Sequence, residues 1–450
     1  MGVYSMNDSE KSDTHGIRSW AHHPIFWMTI AGLAIHIVAS MFQIVYDNEY
    51  WAKVIRNIEA GEGLYNVVGY YYTPVWGYVL GLVGAFQSTF LSLGADVIRV
   101  PEFFFVEIIP GVYYSATAPS LAFALSVKIP LILSNLMLAF ILRYLAIDVT
   151  GDEKKGNLVF ALVFLCPLMI VSSCITAMPD TIAALFAVLT VVLLKKDHHL
   201  LAGMTFSIAV LTKFFPVFLF FPLIAYVLIE SDDRRIGVRN LVMCAMGATM
   251  MTLIIFLPQI LAGTLEQCFA FISDRTGSAY EDNLFENIVG KLRIIVYSIV
   301  IVISIFTGRW IYRSGRKDSF RNLMAGSMFV MACCMLYPPT PQYVVILIPF
   351  LAYWATTAEN RYLRSWLLIS IFTAIFALSS NLLTVMPIAA WTDLIDVDWL
   401  AGWFQTIADG DFSIITMWNI VFGSLTYFSV MHIFLTVYRK KREEALTNVE

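Results

Sequence analysis

Long apolar runs recur along almost the entire sequence, and they constrain the fold more than any other feature. Most are long enough for an α-helix to cross the roughly 30 Å hydrocarbon core of a bilayer. Of the 450 residues, 59% are hydrophobic and only 14% are charged, a balance that ordinary soluble domains do not have. The runs cover residues 25–46, 120–146, 157–176, 180–195, 199–212, 214–230, 240–261, 290–312, 322–337, 342–358, 362–383 and 413–437. We therefore predict an all-α, polytopic integral membrane protein with about twelve transmembrane helices.

The distribution of lysine and arginine predicts which side of the membrane each loop faces, because cytoplasmic loops carry an excess of these residues. The excess is visible if the N-terminus is cytoplasmic and a further apolar stretch, 74–95, is a re-entrant or surface-lying segment that does not cross. The predicted cytoplasmic clusters are Lys154 and Lys155, Lys195 and Lys196, Arg234 and Arg235, Arg313 with Arg316 and Lys317, Arg361 with Arg364, and residues 439–442. A full crossing by 74–95 would invert this pattern.

This topology divides the chain into three parts. They are a cytoplasmic tail of residues 1–24, a transmembrane domain of residues 25–437 and a second cytoplasmic tail of residues 438–450. The large external loops are 47–119, 263–289 and 384–412. We expect a multi-pass protein of the cell membrane with both termini in the cytoplasm.

Unusual polar residues gather at the predicted external ends of the helices. They are Asp47, Glu49, Asp180, Lys213, Gln342 and Tyr343. Only the basic loops were used to set the topology, so the clustering of these residues on one side is an independent observation. Ionisable residues at membrane depth indicate functional sites. We therefore predict one site at the external membrane face.

The first polar break after the first apolar run, residues 46–78, combines carboxylates with aromatic side chains. Asp47 and Glu49 open it at the point where the run should leave the bilayer, and residues 70–72 are three tyrosines that precede Pro74. One alternative is that Asp47 only caps the following helix. That reading leaves the aromatic pattern unexplained, so we favour a carboxylate that acts on a polar group attached to a lipid.

Five short motifs occur in order between Asp47 and Leu351. The first is Asp47-Asn48-Glu49-Tyr50 with Gly61-Glu62-Gly63-Leu64-Tyr65 and Tyr71-Tyr72-Thr73-Pro74; the others are Val127 to Leu145, residues 172–196, Leu211 to Ile224, and Tyr337 to Leu351. Together they resemble the GT-C glycosyltransferases. The resemblance is strongest to the mannosyltransferases of GPI-anchor assembly and to the polyprenyl-phosphate-mannose-dependent enzymes of mycobacterial glycolipid synthesis. Many of these have Asp-x-Asp where this chain has Asp47-x-Glu49.

The resemblance implies a GT-C fold and an inverting transfer of a hexose, with mannose favoured, from a polyprenyl-phosphate carrier. It implies that Asp47 is the general base for an acceptor hydroxyl at the external face. The expected partners are the lipid-linked sugar donor, a glycolipid, polysaccharide or protein acceptor, and the bilayer, with no nucleic acid. No Gly-rich phosphate loop is visible in the sequence, which favours a lipid-linked donor over a nucleotide sugar. The alternative is a transporter or flippase of a lipid-linked saccharide.

Charged residues near the predicted site supply candidates for binding the donor phosphate. Lys213 lies between two apolar runs, where it either serves the site or extends its charge to the interface. Asp180 is either a helix cap or a substrate contact. Arg56 is an external cation whose alternative is a solvated surface charge.

Polar and aromatic candidates have similar alternatives. Gln342 and Tyr343 follow a proline-rich turn and are candidates for sugar hydroxyls, unless they only form the turn. Tyr72 is a candidate for stacking on the sugar or for membership of an interfacial aromatic belt. Asp47 and Glu49 are two residues apart and do not face the same way on a helix, so joint metal binding requires extended backbone. We therefore predict no metal and no cofactor, with a divalent cation as the less favoured alternative.

Overall fold

The computed structural model is a bundle of α-helices. It describes residues 23–66, 70, 72–91, 97–99, 117–269, 284–336, 340–379, 384, 388, 396–408 and 414–447. The helices are α1 Pro24–Ala39, α2 Val45–Glu59, α3 Pro74–Phe86, α4 Leu121–Thr150, α5 Glu153–Phe164, α6 Pro167–Ile170, α7 Asp180–Lys195, α8 His199–Thr212, α9 Phe220–Glu230, α10 Arg234–Leu261, α11 Leu284–Arg313, α12 Ser319–Cys334, α13 Leu347–Thr357, α14 Tyr362–Ser379, α15 Val397–Ala408 and α16 Ile414–Thr447. One short antiparallel ribbon pairs β1 Val97–Arg99 with β2 Thr117–Pro119.

Several of these helices are long and apolar enough to cross a bilayer. Within the described residues there are five, namely α4, α10, Ile294–Arg313 of α11, α14 and Ile414–Lys440 of α16. A sixth is counted if α5 and the segment Pro167–Ile175, which meet at a bend of 45°, form one broken span. The structure therefore confirms an all-helical chain suited to crossing a membrane several times. The predicted total of about twelve spans and the GT-C fold remain predictions.

Several predicted apolar runs are not single continuous α-helices. The run 214–230 begins with the 3-10 segment Phe215–Leu219, and the run 342–358 coincides with the 3-10 segment Pro341–Ile346 followed by α13. Prolines at the start of both segments favour such breaks. The remaining α-helical pieces are shorter than the roughly 20 residues that a perpendicular span requires.

The first apolar run is also interrupted. Helix α1 ends at Ala39, residues 42–44 are not helical, and α2 begins at Val45. The sequence placed Asp47 at the end of one run, 25–46, whereas the structure places it in the first turn of a second helix. The stretch 74–95 forms α3 and continues as a π-helical turn, Gln87–Leu91.

Two hydrophobic cores hold the bundle together. The larger core contains buried residues of α1, of α4 to α9, of α11 to α14 and of α16, and it is filled by large side chains such as Phe160, Phe164 and Phe350. The smaller core packs α2 and α3 against α4 and the turn before α7; its largest members include Trp51, Trp76, Phe123, Leu80 and Leu131. The smaller core therefore fixes the two helices that carry the first motif against the bundle.

Helices α8 and α10 approach closely through a pair of glycines. A Cβ atom added at Gly203 of α8 would lie 1.9 Å from the carbonyl oxygen of Cys244, and one added at Gly247 of α10 would lie 2.0 Å from that of Leu200. Small residues that let two backbones approach closely are typical of helix packing in membranes, because burial of apolar surface contributes little driving force for helix association there. This contact fixes the position of α8, whose C-terminal end leads to Lys213.

Substituting alanine at either glycine is expected to destabilise the bundle, because the clashing atoms are backbone carbonyls that cannot rotate away. We expect Gly203→Ala and Gly247→Ala each to lower the free energy of unfolding by roughly 1–3 kcal/mol. Denaturant unfolding in detergent micelles measures this. Gly402→Ala is the control, since a Cβ atom there meets nothing within 4 Å. Equal stability of all three variants would contradict the close approach.

Candidate functional site

A buried ion pair joins the ends of two consecutive helices. Asp180 is the first residue of α7, and Lys213 directly follows the last residue of α8. The Lys213 Nζ atom lies 3.2 Å from Asp180 Oδ2. The Asp180 side chain is fully buried and that of Lys213 is 8% exposed. The sequence left open whether Asp180 was a helix cap or a site residue, and its pairing with Lys213 favours the second.

The helix dipoles favour the same arrangement of charge. The N-terminal end of a helix carries a partial positive charge and the C-terminal end a partial negative charge. Asp180 stands at the N-terminal end of α7, and Lys213 stands at the C-terminal end of α8. Each side chain is therefore matched to its own helix as well as to its partner, which offsets part of the free-energy cost of burying a carboxylate and an ammonium group.

Two tyrosines enclose the Lys213 ammonium. Its Nζ atom lies 4.9 Å from the ring centroid of Tyr72 and 5.2 Å from that of Tyr343. Both distances are within the range of cation–π attraction. The Tyr343 ring contacts Phe215 with centroids 4.7 Å apart, and the Tyr72 hydroxyl donates to the Met178 sulfur at 3.8 Å. The cation is thus held by an aromatic enclosure built from three separate parts of the chain.

Asp47 lies within electrostatic range of the same cation. It is half-buried in the first turn of α2, and the residue that caps this helix is Ile44, so Asp47 is not the N-cap that the alternative interpretation required. Burial raises the pKa of Asp47 to about 7, and the positive charge of Lys213 offsets only part of that rise. A carboxyl group with such a pKa exchanges a proton near neutral pH, which suits a general base.

A hydrogen bond joins helix α2, which carries Asp47, to the turn that precedes Asp180. The indole Nε1 of Trp51, one helical turn after Asp47, donates to the carbonyl oxygen of Ala177 at 3.1 Å. Ala177 has a φ of 52°, in the left-handed region that costs energy for a residue with a Cβ atom. Such strained residues persist where the surrounding structure holds them, often at functional sites. The hydrogen bond therefore ties α2 to the turn that presents Asp180.

Lys128 is a further buried charge that sequence analysis did not assign to the site. It lies in α4, is fully buried, and its Nζ atom donates to the carbonyl oxygens of Ser40 at 2.7 Å and Phe42 at 2.8 Å. These carbonyls belong to the break between α1 and α2. Lys128 therefore stabilises the bend that lets α2 start at Val45. A lysine inside the apolar run 120–146 was the available sequence signal.

The other three predicted site residues are Glu49, Arg56 and Gln342. Glu49 is buried on α2 and pairs with Lys53, with 3.2 Å between Oε1 and Nζ. Arg56 follows Asp47 by about two and a half turns of α2, so it projects from the opposite face roughly 13 Å further along the axis. Gln342 is half-buried in the 3-10 segment that carries Tyr343.

The described structure thus places four of the eight predicted residues in contact and a fifth, Asp47, within electrostatic range of Lys213. The four in contact are Tyr72, Asp180, Lys213 and Tyr343. No family model matches the sequence, and no curated protein matches it. The resemblance to GT-C enzymes therefore stays a prediction from the motifs, and the assignment of function depends on the arrangement of these five residues.

Replacing Lys128 by methionine is expected to destabilise the break between α1 and α2. The substitution leaves the Ser40 and Phe42 carbonyl oxygens without the ammonium that they bind. Loss of two hydrogen bonds from a charged donor, less the desolvation that the lysine no longer requires, should cost roughly 2 kcal/mol. Thermal unfolding in micelles measures this effect. Lys154→Met, at an exposed position, is the control, and matching melting temperatures for both variants would exclude this role.

The raised pKa of Asp47 predicts a pH-dependent change in stability for Asp47→Asn. Folding favours the protonated carboxyl, so the wild-type protein loses stability as pH rises from about 4 through about 7. At pH 8 the asparagine variant should be more stable by roughly 2 kcal/mol. This figure is about half of the free energy that corresponds to a shift of three pKa units. We reduce it because part of the Asp47 side chain remains exposed to solvent, which screens its charge. At pH 4 the two melting curves should coincide, and a constant difference across this range would contradict the assignment.

Proposed function

We propose that this protein is a membrane glycosyltransferase of the GT-C type. It moves a hexose, with mannose favoured, from a polyprenyl-phosphate carrier to a hydroxyl group of a glycolipid, polysaccharide or protein at the external face. The observation that supports this proposal is a carboxyl group, Asp47, within electrostatic range of a lysine that is paired with Asp180 and enclosed by two tyrosines. A base and a cation stand together, and the transfer requires both.

The proton of the acceptor goes to Asp47. As the acceptor oxygen forms its bond to the anomeric carbon, its proton moves to the Asp47 carboxylate. The bond between that carbon and the phosphate oxygen breaks, and its electron pair leaves with the polyprenyl phosphate. A positioned base contributes about 10²–10⁴-fold to such a step. The pKa of about 7 keeps a large share of Asp47 ionised at neutral pH while leaving it basic enough to accept the proton.

Lys213 stabilises the charge that develops on the leaving phosphate. Its ammonium has three N–H donors, and the contact with Asp180 occupies one of them. The proton taken up by Asp47 removes a negative charge beside Lys213 in the same step in which the phosphate gains one. A cation already fixed by Asp180, Tyr72 and Tyr343 needs no rearrangement to act, which is the property of an effective electrostatic catalyst.

A lipid-linked donor fits the position of the site. Asp180 and Lys213 lie at helix ends, and Tyr72 and Tyr343 provide aromatic faces beside the cation. A sugar on a lipid phosphate reaches such a place from the bilayer, with its chain left among the helices. We propose that this end of the bundle faces the exterior and that the protein belongs to the cell membrane, as the basic loops predict.

A transporter or flippase of a lipid-linked saccharide is the second candidate. The observation in its favour is the 45° bend between α5 and the segment Pro167–Ile175, since broken helices are common at the binding sites of transporters. That segment ends in a π-helical turn, Val171–Ile175, just before the turn that leads to Asp180. A transporter needs alternate access to the site but no base.

Sugar transfer by purified, reconstituted protein tests the proposal. Radiolabelled polyprenyl-phosphate hexoses are offered with a membrane extract as acceptor. We expect transfer by the wild-type protein, a loss of at least 10²-fold in Asp47→Asn, and a wild-type rate that falls as pH drops through about 7. Glu62→Gln, which alters an exposed carboxylate in the turn after α2, is the matched control and should retain full activity.

The possible outcomes separate the two candidates. Equal transfer by wild type and Asp47→Asn would remove Asp47 from the mechanism. No transfer by the wild-type protein with any donor, together with movement of the intact donor across proteoliposomes, would establish a flippase instead. Thermal melts of each variant show whether a lost activity reflects lost folding.

A further inference from the structure

Tyr65 forms a hydrogen bond to one of the two tyrosines that enclose Lys213. Its hydroxyl donates to the backbone carbonyl oxygen of Tyr72 at 2.8 Å. The Tyr72 ring lies over the Lys213 ammonium, with 4.9 Å between Nζ and the ring centroid. Burial raises the pKa of the Tyr65 phenol, so its hydroxyl remains a hydrogen-bond donor at neutral pH. Tyr65 is therefore linked to the buried cation through Tyr72.

The turn that carries Tyr65 is fixed by its glycines and by packing. Gly61 and Gly63 have φ angles of 76° and 87°, in the left-handed region that glycine adopts without steric cost. They allow the chain to turn after α2. The next residue, Leu64, packs so closely on α3 that a Cβ atom at Gly77 would lie 2.4 Å from its two Cδ atoms. Because Leu64 belongs to the smaller core, Tyr65 projects from a packed base.

A series of hydrogen bonds connects the same region to the C-terminal end of α10. The Tyr78 hydroxyl of α3 accepts from Gln259 Nε2 at 3.2 Å, and Gln259 Oε1 accepts from the Thr264 hydroxyl at 2.7 Å. The Cys268 thiol donates to the Thr264 carbonyl at 3.5 Å and lies within hydrogen-bonding reach of the Tyr65 hydroxyl. Helix α10 also packs closely on α8, whose end leads to the buried cation. Tyr65 and the cation are therefore both held by contacts to α10.

We propose that Tyr65 is a positioning residue that keeps the Tyr72 ring over the Lys213 ammonium. Cation–π attraction is significant within about 6 Å of the ring centroid, so a small movement of the Tyr72 backbone weakens it. The Tyr65 hydroxyl binds the carbonyl group of that backbone. A fixed ring keeps the ammonium in place for the charge that develops on the leaving phosphate. The position of the ring does not depend on the reaction, whereas its value for catalysis rests on the proposed glycosyl transfer.

Acetylation of lysine amines in the detergent-purified full chain tests this role without an assay of transfer. Acetic anhydride is applied in short pulses, and the acetylated fraction of Lys213 is measured by peptide mass spectrometry with the exposed Lys154 as internal standard. Loss of one hydrogen bond between neutral groups should raise the rate at Lys213 by roughly fivefold in Tyr65→Phe. Tyr438→Phe, which removes a hydroxyl from a side chain that is 66% exposed, should match the wild-type protein.

A double variant shows whether Tyr65 acts through Tyr72. Tyr72→Leu removes the ring and should raise the rate at Lys213 by at least as much, and adding Tyr65→Phe to it should change nothing further. An unchanged rate in Tyr65→Phe would overturn the proposal, as would an additive effect in the double variant. A parallel rise at the buried Lys128 would also overturn it, because the hydroxyl would then stabilise the whole bundle rather than the ring.

Sugar transfer measures the part that rests on the proposed function. Tyr65→Phe should lower kcat by roughly fivefold with KM unchanged, since the ammonium acts on charge that develops only as the bond breaks. An unchanged kcat together with faster acetylation of Lys213 would overturn the catalytic value of the ring. Absence of transfer by every variant, with the expected acetylation pattern, would refute glycosyl transfer while supporting the role of Tyr65 in placing the ring.

Discussion

The buried pair of Asp180 and Lys213 is the interaction on which the arrangement of the site depends. Burial of an isolated charge is costly, and each of these charges is tolerated because the other lies 3.2 Å away and because both helix dipoles favour it. Loss of either partner would leave a buried charge uncompensated. The pair therefore fixes the end of α7 against the end of α8, and the close approach of α8 to α10 through Gly203 and Gly247 holds that end in place.

The other half of the site belongs to a separately packed unit. Helices α2 and α3 are joined to the bundle by the smaller core around Trp51 and Trp76, and by the hydrogen bond from Trp51 to Ala177. Lys128 holds the bend from which α2 starts. Contacts from three directions thus hold α2, which carries Asp47, against the part of the bundle that contains Lys213. An ionised carboxylate at this position opposes stability, as the raised pKa indicates, and such a cost is typical of functional sites.

Particular residues show what local sequence could and could not predict. The apolar runs predicted helices well, because helix formation and burial in a bilayer both follow from local composition. Asp180, Lys213 and Tyr343 were identified since charged or polar residues stand out among apolar neighbours. Arg56 projects from the face of α2 opposite to Asp47, a direction that depends on the helical phase of α2. Lys128 was missed because its partners lie 86 and 88 residues away.

The sequence by itself determined that this is a helical membrane protein with a set of unusual polar residues at helix ends. It did so because hydropathy and charge are properties of short segments. Only the tertiary structure decided which of those residues come together: Tyr72 and Tyr343 around the Lys213 ammonium, Asp47 within electrostatic range of it, and Glu49 with Lys53 instead. These contacts depend on the bend after Ala39 and on the left-handed backbone conformation at Ala177. Contacts with distant parts of the chain hold both features, and local composition does not encode them.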